Sequence, residues 1–142
     1  MRTLDLGDQL DDTTRRHVVD TAERFEVMLL EQARNERPDD FEVLVRLGEL
    51  YSRRGQVEDG LDIDTHLVEL APADPIVRYN LACSLAMSGQ IEDAFLALGE
   101  ALRLGYDDLP HLLGDEDLLT LRDDPRFDAI VARLRRRRPK QH

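Results

Sequence analysis

The sequence contains a single cysteine, Cys83, so no disulfide can form within the chain. A lone thiol is typical of reducing compartments, and the expected location is the cytoplasm. No stretch of 18 apolar residues is present, so no transmembrane helix is predicted. The first eight residues lack the apolar core of a secretory signal peptide. From these absences we predict a cytoplasmic protein that does not insert into a membrane.

Aromatic residues are few, at 5% of 142 residues, and tryptophan is absent, whereas apolar residues reach 42%. This composition favours an all-α protein packed with leucine, alanine and valine. Glycine and proline are too few for a disordered chain. The common enzyme signatures are also missing: there is no glycine-rich phosphate loop, no Gly-x-Ser-x-Gly turn and no His-Glu-x-x-His motif. We therefore predict a protein that is not an enzyme and holds no cofactor or metal.

Basic residues are scarce outside the C-terminal end, and Lys140 is the only lysine. Six basic side chains lie in the last ten residues, which leaves 13 basic against 30 acidic groups, a net charge of −17, in the rest. So acidic a body repels phosphate backbones, and nucleic acid is not an expected partner. The basic tail, residues 135–142, has three interpretations. It stabilises the end of its own helix, folds onto an acidic body in the same chain or a neighbour, or contacts nucleic acid or anionic lipid.

Apolar periodicity and turn residues divide the chain into helices. In residues 14–36, apolar side chains recur every three or four positions without a helix breaker. Later segments pair two such patterns around a glycine. The predicted parts are a mobile leader (1–11) and a single helical domain (12–138) that contains a capping helix (14–36), two helical hairpins (41–74 and 75–108) and a C-terminal cap (109–134).

Residues 55–61, Gly-Gln-Val-Glu-Asp-Gly-Leu, recur in altered form 34 residues later as Gly-Gln-Ile-Glu-Asp-Ala-Phe. Aligning 41–74 with 75–108 without a gap gives eight identities, and these include the glycine that ends the first helix of each pair. The identical pairs are Val43/Val77, Leu47/Leu81, Gly55/Gly89, Gln56/Gln90, Glu58/Glu92, Asp59/Asp93, Leu70/Leu104 and Asp74/Asp108. Repeated helical hairpins in phase predict an αα-solenoid.

The 34-residue period and the residue types at fixed positions resemble the tetratricopeptide repeat family. The first repeat carries Leu47-Gly48, Tyr51, Gly60 and Pro72 at positions where that family has a Leu-Gly pair, a tyrosine, a small residue and a proline. Small residues there allow helix backbones to approach closely. The resemblance implies an αα-solenoid of helical hairpins that binds other proteins.

Two positions depart from the family pattern, and one C-terminal segment matches a second pattern. Arg78 stands where a bulky apolar residue is usual, and Asp64 stands where an aromatic residue is usual. Asp64 is expected either to pair with an arginine or to lie at an open edge.

Residues 115–118 and 121–127 are similar to the end-of-group motif that follows bacterial tetratricopeptide repeats. We expect this segment to bury the last open face of the array.

The family resemblance implies a concave groove lined by the first helix of each hairpin, which suits an extended or helical peptide. The predicted lining residues are Glu42, Val45, Arg46, Glu49, Arg53, Ile76, Tyr79, Asn80, Cys83 and Met87. The leading prediction is an adaptor or scaffold that binds a protein segment there. The alternative that the groove is solvated, or filled by the C-terminal segment, stays open. Glu49 would repel a terminal carboxylate, so the carboxylate clamp of chaperone-binding relatives is not expected.

Self-association is a second prediction, because the apolar stripe of the capping helix exceeds what one short repeat pair can cover. The predicted dimer seam consists of Val18, Phe25, Met28 and Leu29.

Two candidate metal sites are set aside. Asp62 and His66 share a helix face without further ligands, and the acidic run 115–117 is better explained as a helix N-terminus.

Overall fold

The computed structural model describes residues 10–137, and within that range every regular element is a helix and no strand is present. This confirms the predicted all-α class. The helices are α1 (Asp12–Glu36), α2 (Phe41–Arg53), α3 (Val57–Leu70), α4 (Pro75–Met87), α5 (Ile91–Arg103), α6 (Leu109–Gly114), a 3-10 helix (Glu116–Leu121) and α7 (Pro125–Arg137). Residues 1–9 of the predicted leader, and residues 138–142 of the basic tail, lie outside the described residues. No helix between residues 10 and 137 has both the length and the apolar character needed to cross a bilayer.

Aspartates begin α1, α2, α4, α6 and the 3-10 helix by accepting hydrogen bonds from otherwise unsatisfied backbone amides. The Asp11 carboxylate accepts from the Thr14 amide at 2.7 Å, and Asp40 accepts from the Val43 amide at 3.2 Å. Asp74 and Asp108 cap α4 and α6 in the same way. Because Asp11 is the first cap, α1 starts at Asp12, two residues before the predicted start of the capping helix at residue 14.

Glycines end the first helix of each hairpin by adopting a left-handed conformation that L-residues with a side chain avoid. Gly55 has φ of 69° and Gly89 has φ of 80°, so the two copies of the repeated motif form the same turn. From α1 to α5 each helix packs mainly against its sequence neighbours, whereas the 3-10 helix packs on α4 and α7 packs on α5.

Close helix packing explains the small residues at the repeat positions. A Cβ built on Gly48 would lie 3.3 Å from Ile63 Cγ2 and 3.4 Å from Asp64 Oδ1. At Gly60 it would lie 3.7 Å from Tyr51 Cβ. The departure at Arg78 is also explained, since its Nε donates to the Pro72 carbonyl at 3.1 Å and braces the turn before α4.

Two apolar clusters form the core. The smaller joins α2, α3 and the start of α4, with the inner side of α1 packed against it. The larger joins α4 and α5 to the C-terminal elements. Its fully enclosed leucines are Leu98, Leu102, Leu112, Leu118, Leu121 and Leu134. The C-terminal segment therefore buries the face of the second hairpin that would otherwise be open.

Candidate groove between α2 and α4

A cavity of about 660 Å³ lies between α2 and α4. Eight of the ten predicted groove residues line it: Val45, Glu49, Arg53, Ile76, Tyr79, Asn80, Cys83 and Met87. Glu42 and Arg46 are not among the lining residues. The structure therefore brings most of the predicted groove residues together around one cavity.

The outer part of the cavity is apolar. Phe41 and Ile76 line it and are exposed, with 55% of Ile76 accessible, and Val45 is half-buried between them. Phe41 was not among the predicted lining residues, because the predicted groove begins one residue later, at Glu42. These three side chains form an apolar edge that an incoming chain could cover.

The inner wall differs from the prediction, because Tyr79 and Cys83 are buried by the C-terminal segment. Tyr79 is only 2% exposed and stacks on Tyr106 with ring centroids 4.2 Å apart. Its hydroxyl donates to Asp115 Oδ2 at 2.7 Å, and the Cys83 thiol donates to the same oxygen at 3.5 Å. Both residues were predicted to line the groove, and a groove filled by the C-terminal segment was the alternative left open. Tyr79 and Cys83 join α4 to the segment after α6, which closes that end of the groove.

Arg46 is also placed differently from the prediction. Its Nε lies 2.6 Å from Glu26 Oε1 on α1, its Nη2 lies 3.0 Å from Glu26 Oε2, and its Nη1 lies 3.1 Å from Glu49. The hydrogen bonds from Arg46 lower the pKa of Glu26. This guanidinium binds α1 to α2 and is not presented to a ligand in the cavity. The repeat pattern does not give the register of α1 against α2, so the pairing of Arg46 with Glu26 could not be predicted from it.

Asp64 lies in the floor of the cavity and is only 7% exposed. It forms no ion pair with an arginine among the described residues, contrary to one expectation, and it is not at an open edge, contrary to the other. Its Oδ2 accepts a short hydrogen bond from the Ser84 hydroxyl across the α3–α4 contact. Burial raises the pKa of the Asp64 carboxyl to about 6, and the Ser84 hydrogen bond opposes that rise.

The cavity lining is strongly acidic. Five carboxylates line it, namely Glu49, Asp64, Asp74, Asp115 and Asp117, against one arginine and one histidine. The arginine, Arg53, lies 3.5 Å from Glu23 of α1. The pKa of Asp117 is raised by burial and by its acidic neighbours. The surplus negative charge favours a cationic ligand.

Three ligand atoms of the kind that hold metals meet beside the cavity. The Sγ atom of Cys83 and carboxylate oxygens of Asp115 and Asp117 lie within 4.8 Å of one another. Metal binding would require the thiolate. Burial and the nearby carboxylates raise the pKa of the Cys83 thiol, and Tyr79 already occupies the Asp115 oxygen. The arrangement is therefore better suited to fastening the C-terminal segment than to holding a cation.

The predicted dimer seam lies on the outer side of α1. Val18, Phe25, Met28 and Leu29 are each 49–58% exposed. The opposite side of α1 packs through Val27, Leu30 and Ala33 against the smaller core cluster. No other element between residues 10 and 137 covers this stripe.

The described part of the basic tail, residues 135–137, ends α7. Arg137 Nη1 donates to the Leu102 carbonyl at the end of α5. This contact joins the end of α7 to the C-terminal end of α5, where a cation is favoured, so it is a contact with the body of the same chain and not with the tail's own helix.

No family model matches the chain. The chain is similar to a chloroplastic protein of Arabidopsis thaliana, with 31% identity over 90 residues. The match covers 61% of this chain and 27% of that protein, so the chain spans about a quarter of that relative's length. A match that covers so little of the relative does not place the chain in a family.

Proposed function

We propose that the chain is a tetratricopeptide-like array of helical hairpins, an αα-solenoid, that acts as a non-enzymatic adaptor. The proposal is supported by the 34-residue period, by the matching left-handed turns at Gly55 and Gly89, and by the close approach at Gly48 and Gly60. The C-terminal segment covers the second hairpin, as a terminal element of a repeat array must.

The groove between α2 and α4 binds a segment of another protein in this proposal. One observation carries it: a cavity of about 660 Å³ opens beside exposed Phe41 and Ile76 and keeps polar groups at its floor. Concave sites that bind other molecules combine apolar walls with a few fixed polar groups. The apolar edge would supply affinity, and the polar floor would supply specificity.

Replacing Ile76 by serine tests the groove. Ile76 lines the cavity and is 55% exposed, so the protein should fold, while a partner that covers this side chain should bind about tenfold more weakly. The matched control is Leu96→Ser on α5, since Leu96 is 73% exposed and does not line the cavity. Quantitative affinity capture with both variants is the measurement. Equal partner recovery by the two variants would contradict the groove proposal.

Self-association through α1 is a second candidate function, favoured by the exposed stripe of Val18, Phe25, Met28 and Leu29. An isologous pairing of two α1 helices would bury this stripe on both copies. The two candidates use different surfaces, so they can be tested separately.

The Phe25→Arg variant tests the dimer. If the stripe is the seam, the wild-type protein sediments at about twice 16.3 kDa and the variant sediments as a monomer, because an unpaired charge in an apolar interface is strongly unfavourable. Phe25 is exposed on a single helix, so folding should be unaffected. Sedimentation velocity across micromolar concentrations is the measurement, and a wild-type monomer throughout would remove the proposal.

A further inference from the structure

Asp64 is a buried carboxylate that accepts a hydrogen bond at one of its two oxygens within the described residues. Its Oδ2 accepts from Ser84, but no hydrogen bond reaches its Oδ1 from any residue between 10 and 137. This Oδ1 lies next to Gly48, where a Cβ would stand 3.4 Å away, and both residues line the cavity. Gly48 therefore leaves the carboxylate accessible from the groove, where a bulkier residue would cover it.

Carboxylates are rarely buried without a cationic partner, because the lost hydration of the charge is unfavourable. No arginine or histidine side chain of the described residues lies within 4.0 Å of an Asp64 oxygen, although the same range holds ion pairs at many other carboxylates. The protein thus keeps a charge in the floor of its groove at a cost in stability. Destabilising features of this kind are characteristic of functional sites.

The surroundings of Asp64 strengthen the case for a cationic ligand. Glu49, Asp115 and Asp117 line the same cavity, and the single arginine of its lining is adjacent to Glu23 on α1. A ligand that brought a carboxylate into this cavity would meet five carboxylates against Arg53 and His111, so repulsion would dominate. A ligand that brought an ammonium or guanidinium group would meet carboxylates at the floor and walls.

We propose that the groove takes an extended segment of a partner protein that carries an arginine or lysine, whose cationic group enters the cavity and pairs with Asp64. Apolar residues beside that cation would contact Phe41, Val45 and Ile76. The inference rests on the proposed function of the groove and specifies the chemistry of its ligand.

A displayed library of random dodecapeptides, selected on the wild-type protein, tests this inference. Peptides that lose binding to the Ile76→Ser variant define the groove-dependent set. We expect arginine and lysine to be enriched in that set relative to the starting library. Replacing Asp64 by asparagine should weaken these peptides by about 10- to 100-fold, the range expected for a buried charge-assisted hydrogen bond.

The matched control is Asp62→Asn. Asp62 lies on the same helix, is exposed and does not line the cavity, so this variant removes the same charge without touching the site. In the peptide, replacing the enriched arginine by citrulline should weaken binding to the wild type and have little further effect on the Asp64→Asn variant.

The outcomes separate this inference from the function on which it rests. Groove-dependent peptides that lack arginine and lysine, or that bind the Asp64→Asn variant as tightly as the wild type, would overturn the inference and leave groove binding intact. An absence of groove-dependent peptides would contradict both. Tighter binding of a synthetic peptide of residues 135–142 than of any selected peptide would make the chain's own basic tail the occupant, and would overturn the assignment to a partner.

Discussion

Replacing Asp64 by asparagine is expected to stabilise the protein by about 3 kcal/mol at pH 7.5, although the substitution lies in the interior. Asparagine has the same shape and still offers an acceptor to Ser84, but it carries no charge to be desolvated. Burial raises the pKa of the Asp64 carboxyl from 3.8 to about 6. Each pKa unit corresponds to about 1.4 kcal/mol of free energy, and that fixes the size of the expected gain.

Because the pKa of Asp64 is raised on folding, its effect on the free energy of unfolding depends on pH in the opposite direction to that of an aspartate whose pKa is lowered. A carboxyl whose pKa is higher in the folded than in the unfolded state holds its proton more tightly when folded. Its stabilising contribution is therefore complete below the unfolded pKa and is lost as the pH rises through about 6. The advantage of the asparagine variant should be near zero at pH 4 and largest at pH 7.5.

Urea unfolding of the wild type, the Asp64→Asn variant and the Asp62→Asn variant at both pH values measures this. All other titratable groups are common to the wild type and the Asp64→Asn variant. The difference between their free energies of unfolding therefore reports on residue 64 alone. The Asp62 variant should match the wild type at both pH values, because Asp62 is exposed. A destabilised Asp64→Asn protein, or an equal gain at both pH values, would show that the charge of Asp64 is accommodated in another way.

Replacing Asp115 by alanine is expected to destabilise the protein by about 2 to 4 kcal/mol and to loosen the C-terminal segment. Asp115 Oδ2 accepts from the Tyr79 hydroxyl, and its Oδ1 caps the 3-10 helix by accepting from the Asp117 amide at 3.0 Å. The variant would leave the buried Tyr79 hydroxyl without this acceptor, which costs about 1 to 3 kcal/mol. It would also remove a helix cap worth about 1 kcal/mol.

The single cysteine reports directly on this contact. Cys83 is buried under the segment that Asp115 holds, so an aromatic disulfide reagent should react with it slowly in the wild type and faster in the Asp115→Ala variant. Glu116→Ala is the matched control. Glu116 is exposed, and its replacement removes the same charge one residue away from Asp115. Equal thiol reactivity in the two variants would mean that α6 and the 3-10 helix are held by their leucines alone.

The all-α class and most helix boundaries could be predicted because they follow from local signals. Aspartate caps and left-handed glycines are visible in the sequence, and the turns at Gly55 and Gly89 lie where the repeated motif places them. The stripe on α1 could be identified for the same reason, since apolar spacing along one helix is a local property.

The details of the groove could not be predicted because they depend on contacts between distant segments. Tyr79 and Cys83 belong by spacing to an open face, but residues after Gly105 do not follow the repeat and fold back over them. Arg46 is withdrawn from the cavity by Glu26, and only the register of α1 against α2 brings these side chains together. Asp64 was expected to pair with an arginine or to lie at an open edge, whereas the structure buries it and gives it Ser84 from the next helix.

Site-specific photo-crosslinking tests the central claim, that the groove between α2 and α4 binds a protein segment. A photoreactive amino acid at position 76 stands at the mouth of the cavity, and the same amino acid at position 96 stands on α5 away from it. We expect position 76, and not position 96, to form a crosslink in cells to a discrete partner peptide identified by mass spectrometry. Crosslinks that form equally from both positions, or from neither, would contradict the account.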